Sequence, residues 1–144
     1  MTLYKGTLEG QDLGDDEPQI EPARIPLTLK ITEEATFGLE SLIDPGASHN
    51  FISSEAWKTL PKGSMVPTNA TVTAINGTRT RPIGYVTLDV IIAKHVLQVR
   101  FYVMPVGTME EHVILGRTWC YLTNFQIDWH KKQAKMVYKG NALC

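Results

Sequence analysis

In Leu42-Ile43-Asp44-Pro45-Gly46-Ala47 an acid directly follows an apolar strand-ending pair and directly precedes a glycine turn. A carboxylate so close to an apolar strand is costly to desolvate unless its surroundings use it. Glycine at 46 permits a tight turn whose N–H points back at that carboxylate. Ala47 is small enough for an extended backbone to pass close by. Two readings follow. Asp44 either caps an Asp-Pro-Gly β-turn, or it is a carboxylate kept for chemistry. The triplet alone does not decide, because Asp-x-Gly also occurs at Asp12-Leu13-Gly14, where no apolar strand precedes it.

The surrounding chain narrows the choice of fold. From Ile25 the dominant hydrophobic period is two, which predicts strands with one buried face. Ile25, Leu27, Leu29 and Ile31 alternate with polar residues or proline, and Thr36 to Ile43 forms a second strand. Val72, Ala74 and Ile75 suggest a third, closed by Asn76-Gly77, a strong hairpin signal, with Thr78 to Pro82 as the return arm. Val86 to Ile92 and Leu97 to Val103 predict a long hairpin around Ala93-Lys94-His95. Phe125, Ile127 and Trp129, a Lys131-Lys132-Gln133 turn and a strand through Met136 and Val137 close the domain. Two segments read as helical. Ser53 to Leu60 opens on N-cap residues and stops at Pro61, and Arg117 to Leu122 is shorter. The expectation is an all-β, mostly antiparallel domain with one or two short helices.

Composition excludes several function classes. The 144 residues suffice for one domain, and 43% are apolar, ordinary for a globular chain. A formal charge of -1 offers no positive excess for non-specific nucleic-acid binding. No apolar run approaches the ~20 residues of a membrane span. Cys120 and Cys144 form neither a disulfide framework nor a zinc spacing, and no cofactor or metal is expected. These features point to a cytoplasmic, reducing compartment. Residues 1–24, acidic and proline-containing, read as an arm or linker, 25–140 as the folded domain and 141–144 as a tail. Trp119 and Trp129 are expected in the core, Cys120 as a small buried residue.

A second segment gives the pattern its meaning. Val113-Ile114-Leu115-Gly116-Arg117 is an apolar run, a glycine and a helix start. An apolar pair before Asp-x-Gly-Ala, a central hairpin and a late apolar-apolar-Gly-Arg together resemble the retropepsin aspartic proteases. The run Leu42 to Ser53, including His49-Asn50-Phe51-Ile52, is especially similar to proteases of gypsy-type LTR retrotransposons, as are Trp119 and Phe125-Gln126-Ile127-Asp128-Trp129. The resemblance spans residues 25 to 138.

That resemblance implies a retropepsin-like half-barrel with a flap hairpin, acting on a polyprotein as a homodimer in which each copy supplies Asp44. Two carboxylates about 3 Å apart share one proton, one serving as base and the other as acid; aspartic proteases are the standing example of this splitting. Asp44 takes the catalytic position, and Pro45, Gly46 and Ala47 the rest of its loop. Ser48 and His49 fall where the family contacts substrate backbone, although His49 also reads as a surface turn residue. Ile75, Asn76, Gly77 and Thr78 match the flap tip, which equally reads as a solvated turn. Gly116 matches a glycine that lets the Asp44 loop pack closely.

One residue departs from the family. Between Asp and Gly the family carries Ser or Thr, whose hydroxyl and N–H tie the two loops across the dimer axis; Pro45 has neither. Each lost hydrogen bond is worth about 1 kcal/mol net. The alternative implied is a weakened or inactive peptide-binding or dimerisation module.

Overall fold

Alternating side chains become strands here because each pair of neighbours buries one face. The computed structural model describes residues 22–60, 64–74, 76–138 and 141–142. Strand β1 (Arg24–Lys30) pairs antiparallel with β2 (Thr36–Ile43), Leu27 opposite Leu39 and Leu29 opposite Phe37. After β3 (Phe51–Ser53) comes helix α1 (Ser54–Thr59), whose N-cap Ser53 accepts from the Ala56 N–H at 3.1 Å. The short β4 (Val72–Thr73) and β5 (Arg79–Thr80) make a two-stranded sheet of their own.

The long hairpin of β6 (Gly84–Ile92) and β7 (His95–Met104) turns in two residues rather than the three expected. Ala93 and Lys94 both take left-handed φ, 47° and 73°, the backbone that a two-residue hairpin matched to strand twist requires. Next come β8 (Val113–Leu115) and helix α2 (Arg117–Thr123), which ends at a left-handed Asn124. Then follow β9 (Gln126–Asp128), β10 (Gln133–Lys135), β11 (Val137–Tyr138) and β12 (Asn141–Ala142).

Six strands close into a barrel in the order β1-β2-β8-β3-β7-β6. Four of its pairings are antiparallel; β2 with β8 and β3 with β7 are parallel. Strands β3 and β8 are buried at all three positions, so alternation does not reveal them. The interior is filled by Leu27, Leu29, Val90, Leu97, Phe101, Val113 and Leu115, with Trp119 of α2 packed in completely. At about 25 cal/mol per Å² of apolar surface buried, such side chains contribute roughly 1.5–3 kcal/mol each.

Trp129 departs from expectation. It lies 53% exposed in the turn after β9, where Asp128 accepts the Lys131 N–H. The alternation that began at Phe125 ends at Asp128, so Trp129 has no sheet face to follow. Cys120 is partly buried on α2 rather than in the core, packed against its edge. The arm expected over residues 1–24 lies outside the described residues up to 21, and β1 begins at Arg24.

Candidate active site

Asp44 is the first residue after β2, and two ladders hold it there. Ile43 N–H donates to the Ala23 carbonyl on the β1 side at 2.8 Å, and Asp44 N–H donates to Leu115 O on the β8 side at 3.0 Å. The chain then reverses within one turn, Ala47 N–H donating to Asp44 O at 3.0 Å. Gly46 N–H donates to Asp44 Oδ1 at 3.0 Å, the aim its sequence position led us to expect. The turn needs no left-handed φ at Gly46. Asp44 is 2% exposed, while Pro45 and Gly46 beside it are open to solvent. A buried carboxylate at a loop mouth is thus fixed by the backbone on both sides.

Gly116 braces this turn from beneath. A Cβ there would stand 2.2 Å from His49 O and 2.6 Å from Ala47 O, so no other residue fits without moving backbone. The contact is a bonded one, since the next amide, Arg117 N–H, donates to Ala47 O at 2.8 Å. Asn50 completes the brace. Its Oδ1 accepts the Gly116 N–H at 3.0 Å and its Nδ2 donates to Arg100 O at 3.2 Å. The side chain is 4% exposed and ties the loop, the start of α2 and β7 together. Sequence reasoning gave Asn50 no role; an amide between a turn histidine and the apolar Phe51-Ile52 was the available signal.

Cys120 stands close enough to feel the same carboxylate. Burial, and then the negative charge of Asp44, push its thiol pKa up from the ordinary 9.0. The thiol therefore stays protonated at neutral pH, poorly suited to be a nucleophile.

Next to the turn, Ala47 packs with Phe51, Met104 and Ile114 into a second apolar cluster. Val72, at the base of the β4–β5 hairpin, and Met109, in the loop before β8, pack on it. The hairpin is therefore rooted beside Asp44. At its tip Gly77 takes φ +88°, and Thr78 N–H donates to Asn76 Oδ1 at 2.9 Å. Gly77 N–H closes the turn on Ala74 O at 2.9 Å. Asn76, Gly77 and Thr78 are exposed, and Ile75 lies outside the described residues. Ser48 and His49 are exposed on the loop, His49 edge-on to Tyr102 with ring centroids 5.4 Å apart. The structure thus gathers Asp44, Pro45, Gly46, Ala47, Ser48, His49 and Gly116 around one turn, with the hairpin anchored alongside. Among the described residues no group of three or more His, Cys, Asp or Glu side chains is placed to share a metal ion.

The sequence pattern of the PEG10/RTL1 protease domain family matches residues 40–140. The chain belongs to that family. The match runs from within β2 through α2 to the last strands, so it includes the Asp44 turn, the hairpin and Gly116. No curated protein matches the chain. Among solved structures, the domain is similar to the retroviral protease-like domain of Ddi1 from Leishmania major. That TM-score is 0.60 at 13% identity, covering 86% of this chain and 92% of that one. It is also similar to EIAV protease complexed with the inhibitor HBY-793, with TM-score 0.57 at 14% identity, covering 70% and 86%. Likeness at such identities speaks for the fold, a six-stranded mixed barrel of retropepsin type. The domain is a retropepsin-like aspartic protease domain of retrotransposon origin.

Proposed function

We propose that the domain is an aspartic endopeptidase that works as a homodimer, in a cytoplasmic setting, on an extended segment of a polyprotein. The observation that carries this reading is Asp44 itself: 2% exposed, held between β1 and β8, its Oδ1 taking the Gly46 N–H. One such carboxylate per chain needs a twin, and two-fold pairing is the simplest way to supply it. Two carboxylates at hydrogen-bonding distance cannot both ionise, so one proton is shared. The ionised member takes a proton from water as the oxygen attacks the peptide carbonyl; the protonated member gives its proton to the carbonyl oxygen. The resulting tetrahedral diol collapses as the carboxyl now protonated gives its proton to the nitrogen and the C–N bond breaks. One diol hydroxyl loses its proton to the other carboxylate and becomes the product's carbonyl oxygen, which leaves the pair with one shared proton again.

The test is cleavage of an unstructured peptide at mildly acid pH. Asp44→Asn is expected to abolish it, because an amide cannot act as the base. Cleavage that persists in this variant would sink the proposal.

A second reading has its own observation. Pro45 is exposed at the loop mouth and brings neither an N–H nor a hydroxyl to a partner. In this reading the fold binds peptide or dimerises with little turnover. Pro45→Ser restores both groups and is expected to tighten the dimer by about tenfold for each 1.4 kcal/mol regained. Sedimentation profiles that match those of the unaltered chain would count against this account of the proline.

A further inference from the structure

Where the Asp44 turn ends, a groove of about 520 Å³ begins. It runs from Ser48 and His49 past Arg100 and Tyr102 of β7 to Arg117 and Tyr121 of α2. Asp44 does not line it, yet its first two residues directly follow the Asp44–Ala47 turn. The groove therefore shares Ser48 and His49 with the candidate active site and extends from them away from Asp44.

Among the described residues that line the groove, two carry a guanidinium group and none carries a carboxylate. Among the described residues neither Arg100 nor Arg117 forms an ion pair. Arg100 lies 4.0 Å over the Tyr85 ring, which steadies the cation without neutralising it. Tyr85 stands edge-on to Tyr102, and Tyr102 to His49, so an aromatic row joins Arg100 to His49. Tyr121, 90% exposed, adds an amphipathic wall at the far end. Arginine presents a planar fork of donors that matches a carboxylate in two-point contact.

We infer that this groove binds an acidic stretch of the cleaved peptide, several residues away from the scissile bond. Charge complementarity and continuity with the loop after Asp44 choose the occupant: a peptide extended over Asp44 that runs on past Ser48 and His49 enters the groove. In a two-fold dimer one groove flanks each end of the cleft, so an aspartate or glutamate on either side of the cut is read. The inference rests on the protease reading. It adds selection by charge to that reading.

The chain itself contains a competitor. Residues 9–21 carry Glu9, Asp12, Asp15, Asp16, Glu17 and Glu21 and no lysine or arginine. The experiment therefore uses the full chain with Asp44→Asn and a pair of fluorescein-labelled peptides. The two share one apolar centre and differ in carrying Asp-Glu or Lys-Lys in both flanks. Fluorescence anisotropy is expected to show the acidic peptide bound about tenfold more tightly at low salt, a gap that closes as salt screens it. Adding Arg100→Glu and Arg117→Glu is expected to reverse the preference toward the lysine peptide. Equal affinity for both peptides, or no reversal in the double variant, overturns the inference. So does a tenfold gain in acidic-peptide affinity when Asp12, Asp15, Asp16 and Glu17 are neutralised, for the groove would then belong to the chain's own acidic run. A parallel cleavage assay with the unaltered chain keeps the two proposals apart. Equal cleavage of both peptides overturns the groove and leaves the protease standing. Charge-selective binding with no cleavage of either overturns the protease as the groove's context and, with it, the claim that the bound segment is substrate.

Discussion

The Asp44 turn and the Asn76-Gly77 turn are both short reversals containing a glycine, and they are held in opposite ways. The Asp44 turn is bonded to β1, β8 and the start of α2, with a buried asparagine joining three segments around it. Among the described residues the Asn76 turn closes on itself, above two strands of two residues each in a sheet apart from the barrel. Val72 at the base ties it to the cluster beside Asp44. The contrast teaches how one small domain divides its labour. The candidate carboxylate is placed where the backbone leaves little freedom. The hairpin beside it is built, among the described residues, from few contacts, and local stability follows local contact.

Substitutions can break this contrast, and they should do so in a definite order. Gly116→Ala is expected to be the worst, costing about 3 kcal/mol or more, since the new methyl meets backbone carbonyls that cannot rotate away. A thermal melt is expected to fall by about 10 °C in a domain of this size, with activity lost in step. Asn50→Ala comes next. It strands the buried Gly116 N–H and the Arg100 carbonyl, a loss of about 2–3 kcal/mol measurable by urea unfolding. If Asn50→Ala melts like the unaltered chain, the brace is not what holds the turn. Gly77→Ala should be mildest. Nothing stands within 4 Å of the new methyl, and only the φ of +88° resists it, at about 1 kcal/mol confined to the hairpin. Peptide affinity is expected to change while the barrel's melting point does not; a melt that shifts as far as that of Asn50→Ala would erase the distinction between the two turns.

The sequence shows some of this plainly and hides the rest for physical reasons. Strands with one solvated face, such as β2 over Thr36–Ile43, write their alternation into the chain and are legible residue by residue. Asn76-Gly77 announces its turn because few residues other than glycine tolerate the φ required. Val113–Leu115 and Phe51–Ser53 are covered on both faces, so they lack a period, and their parallel partners cannot be inferred from spacing. Trp129 continued an alternation by one residue after the strand had ended. At the site, Asp44, Gly46 and Gly116 were legible because each is an unusual residue for its place. Asn50 was not, since an amide near a turn is ordinary until its two partners, fifty and sixty-six residues away, are seen. The groove beyond His49 was illegible for the same reason: Arg100 and Arg117 stand on different elements, and only folding sets them on one wall.

A ring of strands can close and still leave a margin. Every barrel strand has a neighbour on both sides, but β1 meets β6 only at Thr28 and Leu29, and β3 covers only Tyr102 to Met104 of the ten-residue β7. Among the described residues, β7 from His95 to Val99 is laddered to a barrel strand on one side only, that of β6. An edge of that kind is where a sheet accepts a further strand, so the long hairpin is the part of this barrel that keeps room for an added chain.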